Sequence, residues 1–484
     1  MQILAARLWN FLPWVIAGVA VVLSAMTSAH AILRKRDPRS AVSWTGIIWL
    51  VPIGGALLYL TFGINRIARR AGKLRRRRRA LEARSVGSIC AEEALTTTLG
   101  PDHAHLVSIS RVADRLTGRK LLEGNGVTML VNGEEAYPAM LEAIRQAKRS
   151  VALQSYIFAN DEVGLQFVDV VADARKRGCQ VRVSADYVGS HYSLSRAFEK
   201  AGVPFAIFLP PVLIPLKNRY MNLRNHRKIL VCDGQVGFTG GMNIRKSHLL
   251  KTPGQHHEQD THFRLEGPVV SHLMDAFADD WAFVAGEVLT GPDWYTPIEK
   301  RGEANARGVA FDPGENLDLL RLVVGAAISS ARQSIRIVSP YFIPEPPVIT
   351  ALNVAALRGV TVDILIPEKN DSQVMQWAIQ AMLWQVLGNG CRVWMTKEPF
   401  DHTKLMVVDE GWVFLGSMNM DTRSMRLNFE FNVESYDREL ARIVTRHIEA
   451  KMQAARRITL KQVDARPLGI KLRDGVARLF SPYL

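Results

Sequence analysis

Residues 225–243 read NHRKILVCDGQVGFTGGMN, and residues 401–419 read DHTKLMVVDEGWVFLGSMN. His226-x-Lys228-x4-Asp233 recurs as His402-x-Lys404-x4-Asp409, a shift of 176 residues. The shift holds onward, pairing Phe238 with Phe414, Gly240 with Gly416, Met242 with Met418 and Asn243 with Asn419. With 12 His in the chain, one such pattern arises by chance about 0.02 times. Two copies in one register are a duplication. Within a strand, residues i and i+2 share a face, so each His projects together with its Lys. A single imidazole cannot be nucleophile and acid on opposite sides of a phosphorus. Two related copies supply one of each, with two ammonium and two amide donors for the phosphate charge, and the chemistry needs no metal or cofactor.

The repeat extends beyond these motifs. Ser150–Phe158 (SVALQSYIF) reads as a strand, Val163–Arg177 as a helix, and Gln180–Asp186 as a strand after Gly178. The order returns as strand Ser334–Ile343, helix Val348–Arg358, Gly359 and strand Thr361–Pro367. Strands alternating with helices, twice over, predict an α/β fold of two related halves.

The 484 residues are 48% hydrophobic and carry a net charge of +15. That length exceeds one core, and the apolar fraction excludes a disordered chain. Residues 1–84 hold 15 Lys/Arg against Asp37 and Glu82, leaving a balance of only +2 beyond them. A nucleic-acid enzyme spreads its basic footprint over the working domain, so nucleic acid is not expected as a partner. Cys90, Cys179, Cys232 and Cys391 lie far apart, without the spacing of a zinc site or redox pair.

The basic excess flanks two uncharged stretches, Leu8–Leu33 and Ser40–Asn65. Each exceeds the roughly 20 residues that span a bilayer. They predict a helical hairpin, with Trp9, Trp14, Trp44, Trp49 and Tyr59 suited to interfaces. A cleaved signal peptide fits poorly, because the apolar run is long and a second follows at once. Buried core helices are rarely uncharged for so long, and Pro52, Gly54 and Gly55 keep a re-entrant second segment open. Ten bases in Arg66–Arg84 outweigh four in the turn Arg34–Arg39. The charge rule therefore predicts a multi-pass protein with its catalytic region on the cytoplasmic side.

The duplicated motif with its trailing Gly-Gly/Ser-x-Asn resembles the phospholipase D superfamily, and most closely its bacterial cardiolipin synthases. The likeness runs from the hairpin through Gln154–Asp161, Asn225–Asn243, Glu266–Pro268, Ser339–Phe342, Pro367–Ser372, His402–Asn419 and Asn428–Glu430 to Phe480–Pro482. It implies two pseudo-symmetric phospholipase D-like α/β sandwich halves sharing one active site, behind an N-terminal transmembrane hairpin. The expected division is 1–66 hairpin, 67–120 basic linker and amphipathic connection, 121–290 first half, and 291–484 second half. The implied setting is the bacterial inner membrane, and the implied reaction moves a phosphatidyl group between two phosphatidylglycerol molecules, giving cardiolipin and glycerol. The implied nucleophile is His226 and the implied acid–base group His402, although the sequence alone permits the reverse. By the same likeness Lys228, Lys404, Asn243 and Asn419 bind phosphate oxygens. Asp233 and Asp409 complete the catalytic motif, more as structural partners than as substrate contacts.

Each imidazole also needs a carboxylate to hold its tautomer. The candidates are Asp260 in the first half, with Glu258 as its neighbouring rival, and Glu430 in the second. An insertion around Lys246–His257 holds His248, His256 and His257 and reads as solvated polar chain rather than a metal cluster. Phe208–Tyr220 reads equally as a lipid-guiding segment or a buried loop. Hydrolysis to phosphatidic acid, transfer to another alcohol such as serine, phosphodiester cleavage in nucleic acid and a degenerate membrane scaffold are the rival functions. The oligomeric state is open, a homo-oligomer included.

Overall fold

The computed structural model describes residues 2–35, 38–63, 88–190, 192–209, 223–252, 256–313 and 317–481. The basic run Arg66–Arg84 and most of Phe208–Tyr220 lie outside these residues. The chain divides into two compact units, one N-terminal and one holding all the described residues from 88 onward.

In the N-terminal unit, Gln2–Arg34 is one helix, and its Leu12–Arg34 part is long and apolar enough to cross a membrane. The second segment departs from the expected uninterrupted span. It is helical over Pro38–Leu50 and Pro52–Leu58 and ends in a wide turn, Tyr59–Gly63. Pro52 explains the break, because its ring disfavours helical geometry at the residue before it. Val51 accordingly sits at φ −132°, ψ 75°. The pieces still pack on the first helix, with Ser24 Oγ donating to the Ile48 carbonyl (3.4 Å) and His30 Nδ1 2.7 Å from the Tyr59 hydroxyl.

The second unit is organised around one sheet. At its centre Leu122–Val131 and Ala304–Phe311 pair antiparallel, one from each half. Outward on the first side run Thr261–Glu266, Val236–Gly240, Ile229–Cys232, Ser150–Ser155, Gln180–Asp186 and Phe205–Phe208. On the other run Asn428–Tyr436, Trp412–Gly416, Leu405–Val408, Ser334–Val338, Thr361–Pro367 and Arg392–Thr396, with Arg456–Ile458 added at the edge. The same order appears on both sides. The crossover helices have matching punctuation. Asp161 caps Glu162–Lys176 by accepting from the Gly164 N–H, and Pro346 opens Pro346–Leu357 with a fixed φ. Gly178 (φ 98°) and Gly359 (φ 91°) lie just past the two helices, in the left-handed region where a side chain is strained.

One apolar core crosses the halves, joining Ile229, Val231, Phe263 and Phe277 to Val338, Leu405, Val413, Phe431 and Val433. Residues 88–120, within the expected connection 67–120, join the core of the second half through Leu95, Leu99, Leu106, Val107 and Ile109. Arg307 locks them down. Its fully buried guanidinium bonds to Glu434 (2.6 Å) and the Ser110 carbonyl (3.0 Å), and it pairs with Asp114. Arg307→Met strands the buried Glu434 carboxylate and should cost about 3–5 kcal/mol, read as a lowered denaturation midpoint.

Candidate active site

Each His-x-Lys, expected within a strand, lies just before one, ahead of Ile229–Cys232 and Leu405–Val408, and the backbone of each His is held by the opposite half. The His226 N–H donates to the Phe429 carbonyl (2.9 Å) and the His402 N–H to the Gln259 carbonyl (2.8 Å). Two short parallel pairings make this possible, Arg224–Asn225 with Asn428–Phe429 and Phe400–Asp401 with Glu258–Gln259. The next residues along the partner segments are the acids. His226 Nδ1 lies 3.1 Å from Glu430 Oε1, and His402 Nδ1 lies 2.7 Å from Asp260 Oδ2. The halves thus exchange carboxylates, whereas the sequence suggested one acid per half. Glu258 is on neither motif imidazole; it pairs with Arg245 and lies 3.8 Å from His248 Nε2.

The two carboxylates are held differently. Glu430 also accepts from Ser417 Oγ (2.5 Å) and Asn428 Nδ2 (3.2 Å). Although burial pushes Glu430 up, His226, Lys228 and Ser417 outweigh it and hold the carboxyl below its usual range. Asp260 accepts from the Thr261 N–H (2.7 Å), and burial raises its pKa. Gly241 stands where the second half has Ser417, and a Cβ there would lie 2.3 Å from Asp260 Oδ1. Glycine makes room for the shorter acid in one half, while serine donates to the longer acid in the other.

His226, Lys228, His402 and Lys404 are all buried. Burial and then the Lys228 charge lower His226 to about 4, and burial with the Lys404 and Lys228 charges lowers His402 well below the usual imidazole range. Burial, followed by the charge of Lys404, brings Lys228 down to about 7, and burial brings Lys404 down to about 8. Charges of each motif felt by the other place both motifs in one electrostatic pocket. The carboxylates fix the Nδ1 protons, which leaves Nε2 of each neutral ring free for chemistry. The ammoniums rest on their own motifs, Lys228 donating to the His226 carbonyl (2.7 Å) and Lys404 to the His402 carbonyl (2.5 Å). Asn243 Oδ1 accepts from the Ile157 N–H (3.1 Å), whereas the buried Asn419 Oδ1 has no partner among the described residues.

Residues 140–281 and 324–452 match the family described as cardiolipin synthase, phospholipase D-like domain. The chain belongs to this family. Residues 22–63 also match a phospholipase D-nuclease N-terminal family. A cardiolipin synthase of Geobacillus kaustophilus is 32% identical over 93% of this chain and 90% of its own. A probable cardiolipin synthase of Bacillus subtilis is 32% identical over 96% and 92%. The crystal structure of Haemophilus influenzae phosphatidylserine synthase shares the fold, with TM-score 0.61 and 14% identity over 78% of this chain and 100% of that one. Family membership and the apolar helix Leu12–Arg34 associate the chain with a membrane.

For a member of this family the two motif aspartates have a clear local explanation. Asp233 accepts from the N–H groups of Lys148, Arg149 and Ser150, and Asp409 from those of Arg332, Gln333 and Ser334. His105 Nε2 lies 2.7 Å from Asp409 as well. Both carboxylates are spent on backbone donors at the start of a neighbouring strand. The insertion also differs from expectation, because His248 is buried. It receives the Asn243 N–H on Nε2 (3.3 Å) and donates from Nδ1 to the Glu258 carbonyl (3.1 Å). In the second half the equivalent N–H, on Asn419, is taken by Ser424 Oγ (3.3 Å). Among the described residues no His, Cys, Asp and Glu group is arranged to hold a metal.

Sequence reasoning overlooked the aromatic walls. The Tyr156 ring lies 5.0 Å from His226 and 5.3 Å from Lys228 Nζ, and Tyr341 lies 6.4 Å from His402. Both stand in the strings SYIF and SPYF already noted as family-like, but nothing in those strings says which ring faces an imidazole. Asp409→Ala should lower stability by about 2–3 kcal/mol by stranding backbone donors. Thermal unfolding would show the loss, while turnover per folded molecule stays within a few-fold of wild type.

Proposed function

We propose that the chain is a phosphatidyltransferase that makes cardiolipin and glycerol from two phosphatidylglycerol molecules through a phosphatidyl-histidine intermediate. The observation that carries this reading is the pair of neutral imidazoles, each with Nδ1 on a buried carboxylate, in one pocket with two buried ammoniums. His226 is the nucleophile. Phosphorylation at Nε2 leaves its ring cationic with the Nδ1 proton in place, and Glu430, held anionic by three donors, stabilises that charge. Nε2 of His226 forms a bond to phosphorus as the bond to the glycerol oxygen breaks, and His402 protonates that oxygen. In the second step His402 takes the proton from the hydroxyl of the acceptor phosphatidylglycerol, whose oxygen displaces His226.

His402 must carry a proton for the first step, yet its burial and the nearby charges favour the neutral ring. The Lys404 and Lys228 charges are among the causes. An anionic phosphodiester between the ammoniums offsets that repulsion and raises the imidazole toward protonation. Lys228, Lys404, Asn243 and Asn419 bind its non-bridging oxygens, and one phosphodiester replaces another without a nucleotide. The bilayer setting follows from the charge asymmetry of the N-terminal segment, with the catalytic unit on the cytoplasmic side of the bacterial inner membrane.

Phosphatidylglycerol supplied alone should yield cardiolipin and glycerol by mass spectrometry, and His226→Ala should yield neither. Phosphatidic acid without cardiolipin from the wild type would replace this reading with hydrolysis. With a substrate whose leaving group needs no protonation, His402→Gln should accumulate a phosphatidyl adduct on the His226 peptide. An adduct on the His402 peptide of His226→Ala would reverse the two roles.

The lysines also set a pH dependence. Lys228, near 7, and Lys404, near 8, are ammoniums below those values and lose their charge as pH rises through them. kcat/KM, which reports the free enzyme, should therefore fall between pH 7 and 9. A flat profile through that range would show that the ammonium charge is not needed for productive binding.

A further inference from the structure

The C-terminal helix Leu468–Leu479 (LGIKLRDGVARL) is buried on one side only. It packs on the helix Gln373–Gln380, turning Asp474 and Ala477 inward. Asp474 is the helix's one acid, and it is fully engaged there by Arg466 (2.7 Å) and Arg473 (2.8 Å). The Arg473 guanidinium lies 4.5 Å above the Trp377 ring. The opposite side is apolar and open. Leu468, Leu472, Val476 and Leu479 recur at helical spacing, with Leu468 and Leu479 each 73% exposed and Leu472 62%. At 3.6 residues per turn these four side chains cover an arc of about 80°. Phe480 extends the stripe at the helix end, also exposed.

Single exposed aliphatics are ordinary, but an unbroken stripe of large ones on one helix face marks a surface with something to meet. The charges say what. Lys471, Arg473 and Arg478 are the helix's bases, and its only acid points into the protein. The outward surface is therefore aliphatic in the middle and cationic at the margins. That is the pattern of a helix lying in the plane of an anionic lipid surface, its stripe at the boundary of headgroups and acyl chains.

We propose that the exposed face of Leu468–Leu479 docks on a bilayer rich in anionic phospholipid and holds the catalytic unit against the surface that contains its substrate. This rests on the transferase reading only in the choice of lipid. The docking itself is measured without turnover.

The four native cysteines are buried, so an introduced surface thiol is labelled selectively. The full-length protein carrying Leu472→Cys, labelled with an environment-sensitive fluorophore, would be reconstituted at low density in phosphatidylglycerol or phosphatidylcholine vesicles. The expected result is a blue-shifted emission quenched by spin-labelled lipid in phosphatidylglycerol and much weaker in phosphatidylcholine. A label on the exposed Lys461→Cys should report water in both. Emission from water in phosphatidylglycerol, or equal signals in the two lipids, overturns the proposal. So does a shift that grows with protein density without lipid quenching, which would assign the face to a second copy of the chain. In a second experiment Leu472→Glu with Leu479→Glu should raise KM for vesicle-held phosphatidylglycerol about tenfold and leave turnover of a short-chain, monomeric analogue unchanged. Equal losses on both substrates would overturn it.

Discussion

The structure depends on an exchange between its halves: each lends a carboxylate to the other's histidine. Glu430 reaches His226, and Asp260 reaches His402. The exchange requires the two parallel pairings that set Asn428–Phe429 beside Arg224–Asn225 and Glu258–Gln259 beside Phe400–Asp401. A half folded alone would have an imidazole without its acid and an acid without its imidazole. Both would be buried polar groups without partners, which is costly in a dry interior. The active site and the fusion of the halves into one sheet are therefore the same constraint.

The pocket is also arranged to attract negative charge. Lys228 and Lys404 are buried together; burial lowers the proton affinity of both, and the Lys404 charge lowers that of Lys228 further. Two ammoniums kept from water gain most from an anion placed between them, because attraction is strong at low effective dielectric. The asymmetry between the carboxylates adds direction to a nearly symmetric site. Ser417 and Asn428 hold Glu430 anionic, while Gly241 leaves Asp260 space but no donor. A ring that must become cationic is best served by the first, and a ring that must pass a proton both ways by the second.

Much of this was legible in the chain. The spacing of His226 and Lys228, repeated at His402 and Lys404, is legible as a duplication, although the strands expected to carry these pairs begin only after them, at Ile229 and Leu405. The strands Gln180–Asp186 and Thr361–Pro367 have the bounds that their β-branched runs suggest. Gly178 and Gly359 end their helices for a reason written in one residue. Pro52 likewise carries its own break, although the hydrophobic run around it reads as one span until the proline's effect on Val51 is considered. The helices between 92 and 117 were harder, because only their packing on Arg307 and the second-half core makes them part of the enzyme's body.

What the sequence by itself determined was the inventory: two copies of one motif, two candidate acids, an α/β order spoken twice and an apolar N-terminal segment. Which acid serves which histidine was a tertiary decision. Glu430 is 204 residues from His226 and Asp260 is 142 from His402, and no local pattern encodes a contact across such distances. The burial of His248 was decided the same way, since its partners are the Asn243 N–H and the Glu258 carbonyl rather than solvent. Periodicity tells which face of a strand a side chain occupies, but only the pairing of strands from both halves tells what it meets there.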